Sequence, residues 1–497
     1  MQAGFRRYGW LAAIAVAYLY VVPYFPKIHS ANELPRVYLV KAIVEDHAFY
    51  VDHGAARWGA TADVSPWNGH AYSNKAPGAS LLAVPAYAVA HLIAGELSLH
   101  ASLWLCRIVA GIQPTLAFLW LLWGFLARFA PDPDIRRLVI IAYALGWLAM
   151  TYSILFYSHQ LAASSITAAW ILALDVAEGR RRPRMMLLAG FLAGCAPLMD
   201  YQGVFAALPV AIHILVKLPR GQRLRGVALA VVGAAPPVAL LLVYHALCFG
   251  SPWRTGYDAS TTFAMYHQHG FLGITALRGA AFWGSLFRID NGLIALSPWC
   301  LLALPGFVAL WRRERAIAIT CAAVTVIYLL FISSINFWRG GWGVGPRYIT
   351  EVVPFLLPPV AAQLQAWAEA PRRLGVAAGL IGVGVVIYVL SSATFPYWPD
   401  SVQHPLVDVT FRLVADNLVA DNLGSALGVP GIAGLIPYLL LTFGLWGATV
   451  WRRARAQGLA IAVIVTAAIL VTYGQLPHGE PRVDSAYRSV RAAVLDL

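Results

Sequence analysis

The chain is built of long apolar runs broken by short polar interruptions. About twenty apolar residues cross a bilayer as one helix. Runs of that length begin near Tyr8, Ser102, Leu138, Leu161, Met186, Gly203, Val227, Gly292, Ala316, Tyr348, Leu374, Ile432 and Gly458. The pattern predicts an all-α polytopic membrane protein with about 13 transmembrane helices.

The interruptions differ in charge. Basic clusters occupy the amino terminus (Arg6, Arg7) and alternate connections: Arg136 and Arg137, Arg180 to Arg184, Lys217 to Arg225, Arg312 to Arg315, Arg372 and Arg373, and Arg452 to Arg455. The positive-inside rule makes that face cytoplasmic, which puts the amino terminus in the cytoplasm and the carboxyl terminus in the periplasm of a cell inner membrane. The alternation holds only if Ala79 to Ala94 does not cross. That segment is expected to lie along the outer interface or re-enter at Pro77 and Gly78, a full span being the alternative.

One membrane domain, 1–497, results: a first span (1–25) read as uncleaved, an outer loop with interfacial helices (26–100), and the remaining spans (101–473). Outer loops fall near 250–291, 336–347 and 391–431, and the outer-face tail is 474–497. Long loops on one face and no internal repeat favour chemistry at that face over transport.

With 60% hydrophobic and 12% charged residues, the composition fits this class. A net charge of +13 would suggest nucleic acid in a soluble protein; here the basic residues sit in loops beside spans, and no nucleic-acid partner is expected. The five cysteines have neither zinc nor disulfide spacing and read as packing residues.

Four outer-face constellations carry candidate chemistry. In SANELPRVYLVKAIVEDHAFYVD, Glu33 and Arg36 stand at the start of a helix whose Leu34, Tyr38, Leu39 and Ile43 recur at helical spacing, an amphipathic helix expected to lie on the membrane. Glu33 is either a helix-terminal acid or a group held where a lipid head group arrives. In NGHAYSNKAPGASLL, Lys75 and the Pro77-Gly78 turn could cradle a phosphate, or the lysine could snorkel. In NFWRGGWGVGPRYITEVVPFLLP, Arg347 at a helix start faces an unfavourable dipole, which points to an anionic partner. Tyr348 follows it, Trp342 sits in the glycine-rich turn, and Glu351 is spaced to pair with Arg347. The fourth group is scattered: His159, Asp200, Asp258 and Asp290. Asp200, between apolar helices, is a functional candidate by its cost alone. No fixed metal spacing appears, so a divalent metal is neither required nor excluded.

The acid after the first span, the helix and then NGHAYSNKAPGASLLAVPAY resemble the first outer loop of the GT-C superfamily, in the branch of the protein O-mannosyltransferases and lipid A aminoarabinose transferases. That branch carries an Asp-Glu pair where this chain has Asn32-Glu33, and Asn68, Gly69, Tyr72, Lys75 and Pro77 match its later motif. The resemblance implies a glycosyltransferase taking a sugar from a polyprenyl-phosphate-linked donor to a hydroxyl acceptor of lipid, glycan or protein on the outer face. It makes Glu33 the general base of an inverting displacement, with Lys75, Arg347 and Tyr348 at the donor phosphate. Arg36, Tyr72, His159, Asp200 and Trp342 are the further substrate-binding candidates. A flippase or exporter of lipid-linked sugars, or an accessory envelope protein, is the competing class.

Overall fold

A computed structural model describes residues 2–22, 30–479 and 481–495; the side chains of Arg6 and Arg7 and the expected loop start at Pro26 lie outside the described residues. Every apolar run named above becomes helix. Six helices are individually long and apolar enough to cross a membrane: Leu99–Leu126, His159–Ala177, Arg220–Phe249, Arg315–Ser334, Pro371–Ala393 and Gly431–Gly474. Shorter apolar helices include Tyr8–Tyr20, Met185–Met199, Tyr201–Lys217, Pro298–Trp311 and Val352–Ala366. Large aliphatic side chains stand exposed along them, among them Leu208, Val231 and Leu440, a surface suited to lipid. The chain is an all-α, multi-pass membrane protein.

Departures from a simple rod include two breaks. Gly431–Gly474 is too long for one crossing, roughly 66 Å at 1.5 Å per residue. It breaks at Arg455, whose φ of 57° and ψ of −165° turn the chain inside the last basic cluster. The run beginning near Leu138 is interrupted between Pro133–Ala144 and Leu148–Ser153. The carbonyl freed there, Gly146 O, accepts from Ser297 Oγ and Trp299 Nε1, each at 2.9 Å. A broken helix is tolerated inside a membrane protein when neighbouring side chains take its backbone groups in this way.

The segment expected to form the first outer loop packs as a small unit on one end of these helices. Helix α1 (Gln2–Tyr20) leads to α2 (Leu34–Lys41), α3 (Asp52–Trp58), a hairpin of β1 (Val64–Trp67) and β2 (His70–Ser73), and α4 (Gly78–Ala94). Asn68 and Gly69 both have positive φ, 48° and 84°, so the two-residue turn closes the hairpin with the twist that antiparallel strands require. Helix α2 does not lie on the membrane surface: Pro35 through Lys41 are all buried. Its polar residues are satisfied inside protein, Lys41 Nζ meeting Glu45 Oε1 at 2.8 Å, Tyr87 Oη at 2.7 Å and Leu97 O at 3.0 Å. Helix α4 is two-faced instead, with Ala79, Ala83 and Tyr87 buried and Leu92 and Ile93 more than three-quarters exposed. At its start, a side chain on Gly78 would come within 2.5 Å of Leu198 O, so glycine lets the loop sit directly on the end of Met185–Met199. The tail helix Pro481–Leu495 buries Val483, Tyr487 and Val490 and joins the 391–431 loop through Tyr487 Oη to Asp416 at 2.6 Å and Arg412 to Asp484 at 2.7 Å.

Candidate active site

The hairpin sets the first two charges of the site. Pairing of Val64 with Ser73 leaves Asp63 and Asn74 facing each other just beyond the strands, and Asn74 N donates to Asp63 O at 3.3 Å. Lys75 is the next residue, and its Nζ reaches Asp63 Oδ1 at 3.0 Å. Both side chains are buried. The 250–291 loop closes over them: Gly256 presses against Asn74, where a Cβ would sit 2.5 Å from Asn74 Cα, and the Tyr257 ring lies 5.5 Å from Lys75 Nζ. Burial lowers the Lys75 pKa from its ordinary value; Asp63 opposes that shift, and the Arg347 charge adds to it.

Arg347 supplies the second cation, from a short 3-10 turn (Arg347–Ile349) ahead of Val352–Ala366. Only 7% exposed, it has no carboxylate within ion-pair distance among the described residues. Its Nη1 makes one long contact of 3.5 Å with Trp342 O, its guanidinium lies 5.8 Å and 5.5 Å from the Tyr157 and Tyr348 rings, and its Nε has no hydrogen-bond partner among the described residues. Gly340 explains how the guanidinium fits. At φ 75° it takes a conformation that side chains resist, and a Cβ there would meet Arg347 Nε at 2.7 Å. Glu351 does not pair with Arg347 as its spacing suggested; it is fully buried and both its carboxyl oxygens lack a partner among the described residues.

Lys75, Asp63 and Arg347 line one polar cavity of about 420 Å³. Asn32, Trp342, Tyr348, Tyr397 and His267 complete much of its wall, and Asp400 stands exposed among its lining residues. Burial, with the Lys75 charge adding to it, pushes the His267 imidazole down to about 4, so this ring is neutral at neutral pH. Among the described residues no three His, Cys, Asp or Glu gather where they could hold a metal.

Glu33 is placed differently from the expectation. It is 0% exposed and absent from the cavity wall, which Asn32 lines instead. Its Oε1 accepts from Arg107 Nε at 2.9 Å and Phe156 N at 2.6 Å, while Oε2 accepts from Arg107 Nη2 at 2.8 Å and Tyr397 Oη at 2.5 Å. A carboxylate so engaged has no oxygen left for an acceptor hydroxyl. The physical reason is the order of the pair: the 31–33 turn sends one of two neighbouring residues outward and the other in, and the inward one finds an arginine.

The remaining candidates separate by position. Arg36 ties the loop together, donating to Asn32 Oδ1 at 3.2 Å, Ala76 O at 3.2 Å and Ser158 Oγ at 2.9 Å. His159 and Asp200 form a buried pair, Nδ1 to Oδ2 at 2.6 Å, behind Tyr348, whose ring meets the imidazole edge-on at 5.9 Å. Tyr72 packs on Phe249 and does not line the cavity. Asp258 caps its own turn through Thr255, and Asp290 is held by Arg288 at 2.8 Å and Arg339 at 2.5 Å. Sequence reading missed Asp63, His267 and Arg107. The Asn68-Gly69 turn between two short strand-forming stretches was the available signal for Asp63, since a hairpin there brings residues 63 and 75 together.

No family model matches the chain, and no curated protein matches it. Among solved structures it is similar to ArnT from Cupriavidus metallidurans in the apo state, with 16% identity and a TM-score of 0.48 over 95% of this chain and 78% of that one. It is similar also to the same protein bound to undecaprenyl phosphate, with 16% identity and a TM-score of 0.44 over 94% and 78%. Arabinosyltransferase EmbB from Mycobacterium smegmatis matches with 13% identity and a TM-score of 0.44 over 94% of this chain and 40% of that one. Likeness at such scores carries no argument about activity, which has to come from the residues of the cavity.

Proposed function

We propose that this chain is a GT-C-type membrane glycosyltransferase that moves a sugar from a polyprenyl-phosphate-linked donor to a hydroxyl acceptor at the outer, periplasmic face of a cell inner membrane. The observation that carries the reading is Arg347: a buried guanidinium whose Nε has no hydrogen-bond partner among the described residues, lining the same polar cavity as Lys75. A buried cation left without an anion is costly, so a site of this kind is completed by an anionic ligand. Arginine and lysine converging on one cavity suit a phosphate.

In this reading Lys75 and Arg347 hold the donor phosphate, with Tyr348 beside them. The acceptor oxygen attacks the anomeric carbon, the bond from that carbon to the phosphate oxygen breaks, and the leaving phosphate gains a negative charge that the two cations stabilise. A single displacement inverts the anomeric configuration. Trp342 and Tyr397 offer faces for the sugar. Glu33 serves as a positioning residue through Tyr397 and Arg107, and Arg36 as the tie that holds the Lys75 turn. The basic clusters orient the chain with its amino terminus in the cytoplasm and carboxyl terminus in the periplasm.

Mass spectrometry of lipids co-purified from native membranes tests the reading. The expected result is a polyprenyl phosphate, or its glycosylated form, retained by wild type and lost from Arg347→Ala. Bulk phospholipid alone in the wild type, together with no binding of added polyprenyl phosphate, would refute it.

A further inference from the structure

We propose that Asp63 is the proton acceptor of this site and that it stays paired with Lys75 until a lipid phosphate takes the lysine. The inference rests on the phosphate reading above and adds a residue and an order of events to it.

The acids near the cavity differ in what they can still do. Glu33 has both oxygens doubly engaged. Asp400 is exposed and solvated. Asp63 is buried, faces the cavity and uses only Oδ1, toward Lys75; Oδ2 makes no hydrogen bond among the described residues. Asn32, where the resembled family has an acid, is also in the wall but cannot accept a proton at neutral pH.

Charge accounting favours the same residue. Among the buried groups of the cavity wall, Lys75 and Arg347 contribute two positive charges and Asp63 one negative, so the empty site carries one positive charge. A lipid phosphodiester brings one negative charge and neutralises it. During transfer the acceptor O–H proton passes to Asp63, the acceptor oxygen bonds to the anomeric carbon, and the electron pair of the broken C–O bond stays on the phosphate. The departing monoester then carries two negative charges opposite the two cations, while Asp63 is neutral. The site therefore begins and ends the reaction uncharged, which a desolvated pocket requires. The contact at 3.0 Å between Lys75 and Asp63 gives the order. Phosphate competes for the ammonium, and only then is the carboxylate released to act as a base.

The test compares wild type, Asp63→Asn and Asp63→Glu in detergent. Binding of decaprenyl phosphate is measured with decaprenol, which lacks the phosphate, as control, and thermal unfolding checks the fold. Turnover is read as free polyprenyl phosphate released from a native lipid extract containing lipid-linked sugars. Asparagine keeps the shape but frees Lys75, so decaprenyl phosphate should bind roughly five- to tenfold tighter while release falls at least a thousandfold. Asp63→Glu keeps the charge but displaces it, and should bind within about threefold of wild type with release down at least tenfold. Weaker binding by Asp63→Asn would show that the aspartate only props up Lys75, and release within threefold of wild type would exclude it as the base; either result overturns the proposal while leaving the phosphate reading intact. Equal wild-type binding of decaprenyl phosphate and decaprenol would overturn the phosphate reading itself, and this proposal with it.

Discussion

Arg128 and Arg347 are the same side chain at opposite faces of the molecule, in opposite company. Arg128, on the face with the basic clusters, meets Glu178 through two 3.0 Å contacts and Glu314 through a third at 3.0 Å. Its neighbours are paired likewise, Arg181 with Asp175 at 3.0 Å and Arg453 with Asp132 at 2.9 Å. Arg347, more deeply buried, has no acid within ion-pair distance among the described residues. Arg107 separates burial from function, because it is as buried as Arg347 yet held bidentately by Glu33. Glu33 and Glu178 supply the anions for Arg107 and Arg128; at Arg347 that place is the one the proposed lipid phosphate would take.

The strongest way to sharpen this contrast is to remove cations one at a time. Arg107→Met should cost the most stability, about 3–5 kcal/mol, because it strands the Glu33 charge in the interior. Adding Glu33→Gln to it should recover a large part of that loss. The check is chemical or thermal unfolding in detergent. Arg347→Ala should do the reverse: the empty protein unfolds no more easily than wild type, since an uncompensated buried charge is gone, while decaprenyl phosphate binding falls about a hundredfold, about 2.7 kcal/mol. If Arg347→Ala destabilised the empty protein as Arg107→Met does, the contrast between them would collapse.

A smaller effect is expected from Gly340→Ala. The added methyl meets Arg347 Nε and forces a left-handed backbone on alanine, so lipid-phosphate binding should weaken about tenfold with little loss of fold. Arg128→Ala should cost only about 1 kcal/mol, because its partly exposed ion pairs exchange one polar environment for another, and it should leave lipid-phosphate binding unchanged.

What could be read from the sequence follows the same division. The apolar runs and basic clusters fix helix after helix because lipid demands closed backbone hydrogen bonding over a set length. Lys75 and Arg347 stand out in the sequence as charges beside Pro-Gly and Gly-Gly steps, and both line the cavity. The inward position of Glu33 is not legible in the sequence, because Asn32 and Glu33 differ by one position and the inward one meets Arg107, 74 residues later. The amphipathic pattern of α2 was real, yet helix periodicity cannot tell whether the polar face meets water or the buried Ala76 and Ser158 groups that receive Arg36. Asp63 is an isolated acid in the loop sequence; only the hairpin brings it beside Lys75 in the cavity wall.

His267 offers the smallest and most selective test of the cavity's charge. Its ring stacks on Tyr257 at 4.3 Å, and burial with the nearby Lys75 charge lowers its pKa from 6.5 to about 4, Asp63 opposing the shift. The unfolded chain therefore takes up a proton between pH 6.5 and 4 that the folded chain refuses, so the stability present above pH 6.5 is lost as the pH falls through that window. His267→Gln should remove this part of the acid loss and flatten the unfolding profile between pH 6.5 and 4, with little change at pH 7.5. Bound decaprenyl phosphate should act in the same direction on wild type, because an anion on Lys75 cancels part of the charge that repels the imidazolium. An acid limb equally steep in wild type and His267→Gln would mean that the ring does not sense the cation pair, and would set His267 with the packing residues of the loop.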